Sequence, residues 1–157
     1  MRGLEGKVVV VTGGGGGIGS ATCVRFAEAG AHVAIVDKDA GAAESVVQRI
    51  KGMPGMARAF AVDLTDFDAT RAAVAEIEAS LGPVDILVNN AGWDLFTPFL
   101  KSGPDFWSKI IDINLRAVLN ITHPVLERMS ERRAGRIVSI GSDAARGGSS
   151  GESVYAA

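Results

Sequence analysis

Five apolar runs of strand length recur along the chain: "KVVVVT" (7–12), "HVAIVD" (32–37), "ARAFAV" (57–62), "VDILVN" (84–89) and "GRIVSI" (135–140). All are rich in valine and isoleucine and largely lack the polar alternation of a half-wet sheet, so they read as strands covered on both faces. Helical patterns lie between them at 17–29, 40–52, 66–81 and 104–132, broken by Gly30, Gly55, Gly82 and Gly135. Buried strands that alternate with helices form a parallel sheet only when each helix crosses over one of its faces. The pattern therefore predicts an α/β chain, an open and doubly wound parallel sheet in three α/β/α layers. At 157 residues, 47% of them apolar, the chain has material for one core and not two, so residues 1–157 are expected to form a single domain.

Charge and composition narrow the class. Lys plus Arg number 16 and Asp plus Glu 18, a net charge of −2 with no run of either sign, which argues against nucleic acid and anionic membrane as partners. Cys23 is the only cysteine; it has no partner for an internal disulfide, and a reducing cytoplasm fits. The N-terminal segment "MRGLEGKVVVVTGG" offers an apolar stretch too short for a signal sequence or a membrane span, so a soluble, unexported protein is expected. Neither His32 nor His123 has a Cys, His or carboxylate at ligand spacing, and no metal site is expected.

In "VVVVTGGGGGIGSATCVRF" a buried strand runs into a glycine cluster and then into a helix. Glycine lets the backbone approach a pyrophosphate closely, and a helix N-terminus offers free N–H groups and partial positive charge. Asp37 closes the second strand 18 residues beyond Gly19, near the distance at which a dinucleotide fold sets a carboxylate against the adenosine ribose. Such a carboxylate accepts from both ribose hydroxyls and repels a 2′-phosphate. NAD is therefore expected in preference to NADP, with Lys38 next door a mild argument the other way. Along the helix 104–132 the positions Trp107, Ile111, Asn114, Val118, Ile121 and Val125 step by four and three, so one amide interrupts an apolar line. An unpartnered buried amide costs about 1–3 kcal/mol, so Asn114 needs backbone, water or another polar group as partner.

Thr12, Gly13, Gly17, Ile18 and Gly19 match TGxxxGIG. Together with Asp37, the "DL" of Asp63 and Leu64, and the "NNAG" that ends in Asn90, Ala91 and Gly92, they resemble the short-chain dehydrogenase/reductase family, over Gly3–Ala157. The resemblance implies a Rossmann-type fold. The glycine turn would then hold the dinucleotide pyrophosphate, Asp63 and Leu64 would border the adenine, and the NNAG turn would close the cofactor cleft. It implies that Asn114, in its "IxxNL" setting, holds a water that relays protons. Ser142 and Tyr155, with twelve residues between them, match the family's catalytic pair. Tyrosine would be the general acid or base for an alcohol/carbonyl pair, and serine would orient the substrate oxygen during hydride transfer.

A tyrosine near its ordinary pKa of about 10 needs a cation to act as a base at neutral pH. The family supplies a lysine four residues later, at what would be position 159, and this sequence ends at 157. The chain is therefore expected to lack that lysine, the rest of the tyrosine helix and the substrate-closing loop, and to be inactive by itself. Within the family, "NNAGWD" and "SDAARGGSSGESVYAA" most resemble dehydrogenases of 2-hydroxycyclohexanecarboxyl-CoA. That implies a small-molecule alcohol/ketone substrate of the CoA-thioester kind and a homotetramer or homodimer, with Trp93, Asp94, Asp143 and Arg146 near the substrate opening.

Overall fold

The computed structural model describes residues 3–157. Five strands, β1 (Val8–Thr12), β2 (His32–Asp37), β3 (Ala57–Ala61), β4 (Val84–Asn89) and β5 (Arg136–Ser139), form one parallel sheet in the order β3-β2-β1-β4-β5. The crossovers carry α1 (Gly17–Glu28), α2 (Ala40–Ile50) and α3 (Phe67–Leu81). A longer helical segment, α4 (Pro104–Ile111) and α5 (Ala117–Arg132), joins β4 to β5, and α6 (Ala144–Gly147) follows β5.

Residues of β1 alternate between two cores because successive side chains of a strand point to opposite faces. Val8 and Val10 enter the core formed with α3 and α5, where Val74, Ile77, Ile121 and Val125 pack. Val9 and Val11 enter the core formed with α1 and α2, where Cys23, Ala27, Val46 and Ile50 pack. The expected three layers are present, and burial on both faces explains the missing alternation in β1, β2 and β4, whereas β3 and β5, the sheet edges, are largely uncovered. Burial also pushes the Cys23 thiol up to about 12, which leaves it a small, inert core side chain.

The helix starts differ in a way that bears on function. Asp39 caps α2 by accepting the Ala42 N–H at 2.9 Å, and Asp66 caps α3 by accepting the Ala69 N–H at 2.9 Å. Gly16 stands at the N-cap of α1 and contributes no side chain. Its carbonyl takes the Ser20 N–H at 2.8 Å, so the N–H groups of Gly17, Ile18 and Gly19 precede the helical ladder.

One expectation is corrected. The segment 104–132 is not one continuous helix: a π turn over Asp112–Arg116 separates α4 from α5, with the Ala117 N–H reaching back five residues to the Asp112 carbonyl. Its buried face runs through Ile110, Ala117, Ile121, Val125 and Met129. Ile111 is 44% exposed and Val118 half-buried, so both sit on the shoulder of that face. Tyr155 lies in a turn. Ile137, Val138 and Ile140 are partly uncovered, since β5 is the last strand on its side of the sheet.

Candidate functional site

The chain winds from β1 to β2 to β3 on one side, then crosses back over β1 to β4 and β5. The order reverses between β1 and β4, and ligands of open α/β sheets bind in the crevice outside the carboxyl ends of the strands at such a point. There the two strand ends are tied together through Thr12. Its buried hydroxyl accepts the N–H groups of Asn90 and Ala91, at 2.9 and 3.0 Å, and donates to the Val88 carbonyl at 3.3 Å. The Asn90 amide returns bonds to the Thr12 and Gly13 carbonyls, at 2.9 and 3.3 Å. Thr12, expected among the cofactor contacts, therefore lies beneath the cleft and fixes the two turns that form its floor.

A cleft of about 930 Å³ opens above this junction. Gly13 has a φ of +62°, the left-handed region that favours glycine, and a Cβ there would meet the Ala91 Cα at 2.9 Å. A Cβ on Gly19 would fall 2.0 Å from the Gly13 carbonyl oxygen, so residue 19 must be glycine for the turn to close. Gly17 is different: a Cβ there meets nothing within 4 Å, and the residue faces the cleft. The space it leaves is ligand space, beside the uncapped end of α1. An anion fits that combination of free N–H groups, helix dipole and missing side chain.

Asp37 is oriented before any ligand arrives. Its Oδ2 accepts the Gly15 N–H at 2.9 Å and its Oδ1 the Asp39 N–H at 3.0 Å, which leaves acceptor capacity on both oxygens. The opposite wall of this half of the cleft is the turn after β3. Asp63 Oδ1 accepts the Thr65 hydroxyl at 2.7 Å and the Thr65 N–H at 2.9 Å, and these bonds hold its carboxyl below the usual range. Leu64, nearly buried, belongs to the core with α3 and α5 and still lines the cleft. Val36, Lys38, Val62, Thr65 and Ile113 complete the lining here. Sequence reading missed Ile113, although its place directly before the anomalous Asn114 was a usable signal.

Asn114 sits in the π turn, and backbone satisfies its amide. Nδ2 donates to the Trp93 carbonyl at 2.7 Å and the Ile110 carbonyl at 2.9 Å, while Oδ1 accepts the Trp93 N–H at 3.0 Å. The wide turn thus aims an amide at the segment after Gly92, a common use of π bulges at functional sites. Trp93 is held further by Lys109, whose Nζ lies 3.7 Å from the ring centroid, and by the edge of Phe106. Ser142 Oγ accepts the Ala144 N–H at 3.2 Å and keeps its own proton to donate. Tyr155 lines a smaller cavity with Asp94, Phe106 and Glu152. In that cavity burial, then a hydrogen bond with Glu152, pushes the Asp94 carboxyl up, while the Ser149 hydroxyl holds Glu152 down. Among the described residues no cluster of His, Cys, Asp or Glu has the form of a metal site.

The profile described as short chain dehydrogenase matches residues 7–157. The chain belongs to the short-chain dehydrogenase family. It is 41% identical to a short chain dehydrogenase of Pseudocercospora fijiensis, covering 98% of this chain and 50% of that protein. It is 35% identical to 3-oxoacyl-[acyl-carrier-protein] reductase of Thermotoga maritima, covering 98% of this chain and 63% of the other. A solved NAD+-bound xylitol dehydrogenase superposes with a TM-score of 0.95 at 31% identity, over 99% of this chain and 60% of that one. The chain thus spans between half and two thirds of the length of these relatives. By name they differ in substrate, so they support the family and not one reaction within it.

Of the residues expected in the short-chain dehydrogenase cofactor site, Gly13, Gly17, Ile18, Gly19, Asp37, Asp63, Leu64, Asn90, Ala91 and Gly92 line the one cleft. Ser142 and Tyr155 do not line it. The fold therefore brings the residues expected around a dinucleotide into one cleft, while Asn114, Ser142 and Tyr155, expected to be catalytic, do not line it.

Proposed function

We propose that the native protein is an NAD-dependent oxidoreductase that interconverts a secondary alcohol and a ketone, and that this chain supplies its dinucleotide cleft. The observation that carries the reading is that cleft: a glycine turn open at Gly17, an uncapped helix start, and an Asp37 carboxylate set by two backbone N–H groups. The N–H groups of Gly17, Ile18 and Gly19 would hold the pyrophosphate, and Asp37 the adenosine ribose diol, where its charge opposes a 2′-phosphate. The NAD+ named in the xylitol dehydrogenase structure supports the same preference.

Bound NAD supplies a hydride acceptor at its nicotinamide ring. The Ser142 hydroxyl donates to the substrate oxygen, since its Ala144 bond uses only a lone pair. Tyr155 transfers the proton of that oxygen. Both protons of the Asn114 amide are committed to backbone carbonyls, and its Oδ1 keeps one acceptor position for a relaying water. The substrate class we favour is a hydroxyacyl-CoA such as 2-hydroxycyclohexanecarboxyl-CoA, from the resemblance of "NNAGWD" and the serine-rich tail. Reduction of a 3-oxoacyl thioester is the alternative, favoured by the Thermotoga maritima relative. Self-association into a dimer or tetramer is supported by a line of exposed apolar residues, Ile111, Leu115, Leu119 and Leu126, along α4, the π turn and α5. A cytoplasmic location is proposed with it; no helix among the described residues is long and apolar enough to cross a membrane.

A second reading, a dinucleotide-binding module without turnover, is favoured by one observation: Tyr155 lines a different cavity from the cofactor residues. Alcohol-dependent NADH formation by the native protein separates the two. Turnover that Tyr155→Phe removes, with NAD affinity unchanged, supports the enzyme; NAD binding with no turnover on any secondary alcohol supports the module. Equal affinity for NAD and NADP, or a preference that survives Asp37→Ala, removes Asp37 from its role.

A further inference from the structure

We infer that Asn120 is a positioning residue for the adenosine half of the cleft, acting through the backbone of Leu64 and Thr65; the inference rests on the dinucleotide reading above. The side chain of Asn120, on α5, donates from Nδ2 to the Leu64 carbonyl at 2.8 Å and to the Thr65 carbonyl at 3.1 Å. Both residues line the cleft, and Asn120 does not. The Asp37 carboxylate and the uncapped end of α1 set the course of a bound dinucleotide. With the ribose at the end of β2, the adenine lies toward β2 and β3, between the Asp37 and Leu64 walls. The Asp37 wall is fixed by the bonds from Gly15 and Asp39. The Leu64 wall has no strand beyond β3 to hold it, because β3 is the edge of the sheet.

Two clamps secure that wall instead. From within, Asp63 ties down Thr65. From the side of α5, one amide, that of Asn120, takes two consecutive carbonyls. The sequence of α5 favours this use of position 120. Pro124, inside the helix, has no N–H to donate to the Asn120 carbonyl four residues earlier, so the helix is locally free of one bond at the point where the amide leaves it. Phe67, at the start of α3, meets His123 edge to face with ring centroids 5.9 Å apart, which holds the same turn against α5 from its other end. Asn120 therefore sets the width of the adenine slot without touching its occupant.

The test uses the native protein with AMP and reduced nicotinamide mononucleotide as probes for the two halves of the cleft. Asn120→Asp keeps the shape and replaces both donors by acceptors that face the carbonyls. The expected result is an AMP affinity weakened about tenfold, with that of the mononucleotide unchanged and a raised KM for NAD at unchanged kcat. Asn120→Ser is the second variant and should give the same selective loss. Arg132→Met, which cuts the tie of α5 to Glu78 and the Val84 carbonyl, is the control that loosens the same helix without favouring either probe. AMP affinity equal to wild type in Asn120→Asp overturns the inference. So does an equal loss of both probes, or failure of both Asn120 variants to fold, since either would make Asn120 a general support of the fold. If the wild-type protein binds neither AMP nor NAD, the dinucleotide reading itself fails, an outcome distinct from a normal wild type with an indifferent variant.

Discussion

Glycines that look alike in the string "TGGGGGIG" have different duties in space. A Cβ on Gly19 collides with the Gly13 carbonyl at 2.0 Å, so Gly19→Ala must displace the turn. We expect a loss of about 2 kcal/mol or more of stability, with lost dinucleotide binding. Gly17→Ala should leave the fold intact, because its Cβ meets no protein atom within 4 Å, yet still weaken NAD by filling the place of the pyrophosphate. Thermal melts beside NAD titrations check the pair, and a Gly17→Ala protein that binds NAD normally would remove the anion site from the start of α1. Asp63 offers a residue-scale test by pH. Its folded carboxyl lies below the ordinary 3.8 because of the Thr65 hydroxyl and amide. The associated stabilisation is present above 3.8 and is lost as pH falls through the lower folded value. Thr65→Ala should raise the Asp63 pKa toward 3.8, followed by NMR titration of its carboxyl; an unchanged value would mean that Thr65 is not its cause.

Elements divide the work of the site unequally. Strands β1 and β4 deliver the turns, and Thr12 joins them, so Thr12→Val should separate the glycine turn from the NNAG turn. Val keeps the shape and drops the hydroxyl, leaving the Asn90 and Ala91 N–H groups without their acceptor; about 1–3 kcal/mol of destabilisation is expected for each such group left unpaired. Denaturant unfolding measures it, and a loss below about 0.5 kcal/mol, the size of an ordinary surface change, would show that water replaces the hydroxyl. The long helical segment acts as two pieces because the π turn parts them. Asn114 holds the Trp93 segment from the π turn, and Asn120 holds the Leu64 turn from α5. One continuous helix over 104–132, as expected from the spacing, would have left Asn114 a lone amide on the apolar line of a core helix.

For the whole molecule the decisive feature is uneven cover. The cores with α1 and α2 and with α3 and α5 are closed, whereas every residue of β5 is exposed and Val138 is 48% accessible. An open parallel edge with apolar side chains invites association. The isolated 157-residue chain is therefore expected to self-associate and to lack turnover, with Tyr155 in a turn outside the cleft. Light scattering and an alcohol-dependent NADH assay on this chain test both points. Val138→Lys should reduce the association; a monomeric, active wild-type chain would contradict the account of β5 and of Tyr155 together.

The fold class was legible in the sequence because five short apolar runs without polar alternation, separated by helix-length patterns, admit little but a crossed-over parallel sheet, even though only β1, β2 and β4 are covered on both faces. Gly13, Gly17, Gly19 and Asp37 were legible for a related reason, since close backbone approach demands glycine and an acid at a set distance suits a ribose, whereas Ile18, Asp63, Leu64, Asn90, Ala91 and Gly92 were legible only through the family resemblance. Tertiary structure alone decided that Thr12 lies beneath the cleft, since whether a hydroxyl faces ligand or neighbouring backbone depends on which strands become adjacent. It alone placed the π turn at Asn114, because a helix period carries no mark of one extra residue in a turn. It alone joined Asn120 to Leu64 and Thr65, residues 56 and 55 positions away. A bond from a side chain to a distant carbonyl depends on where the backbone passes, and the residue that supplies the carbonyl leaves no trace of it in its type.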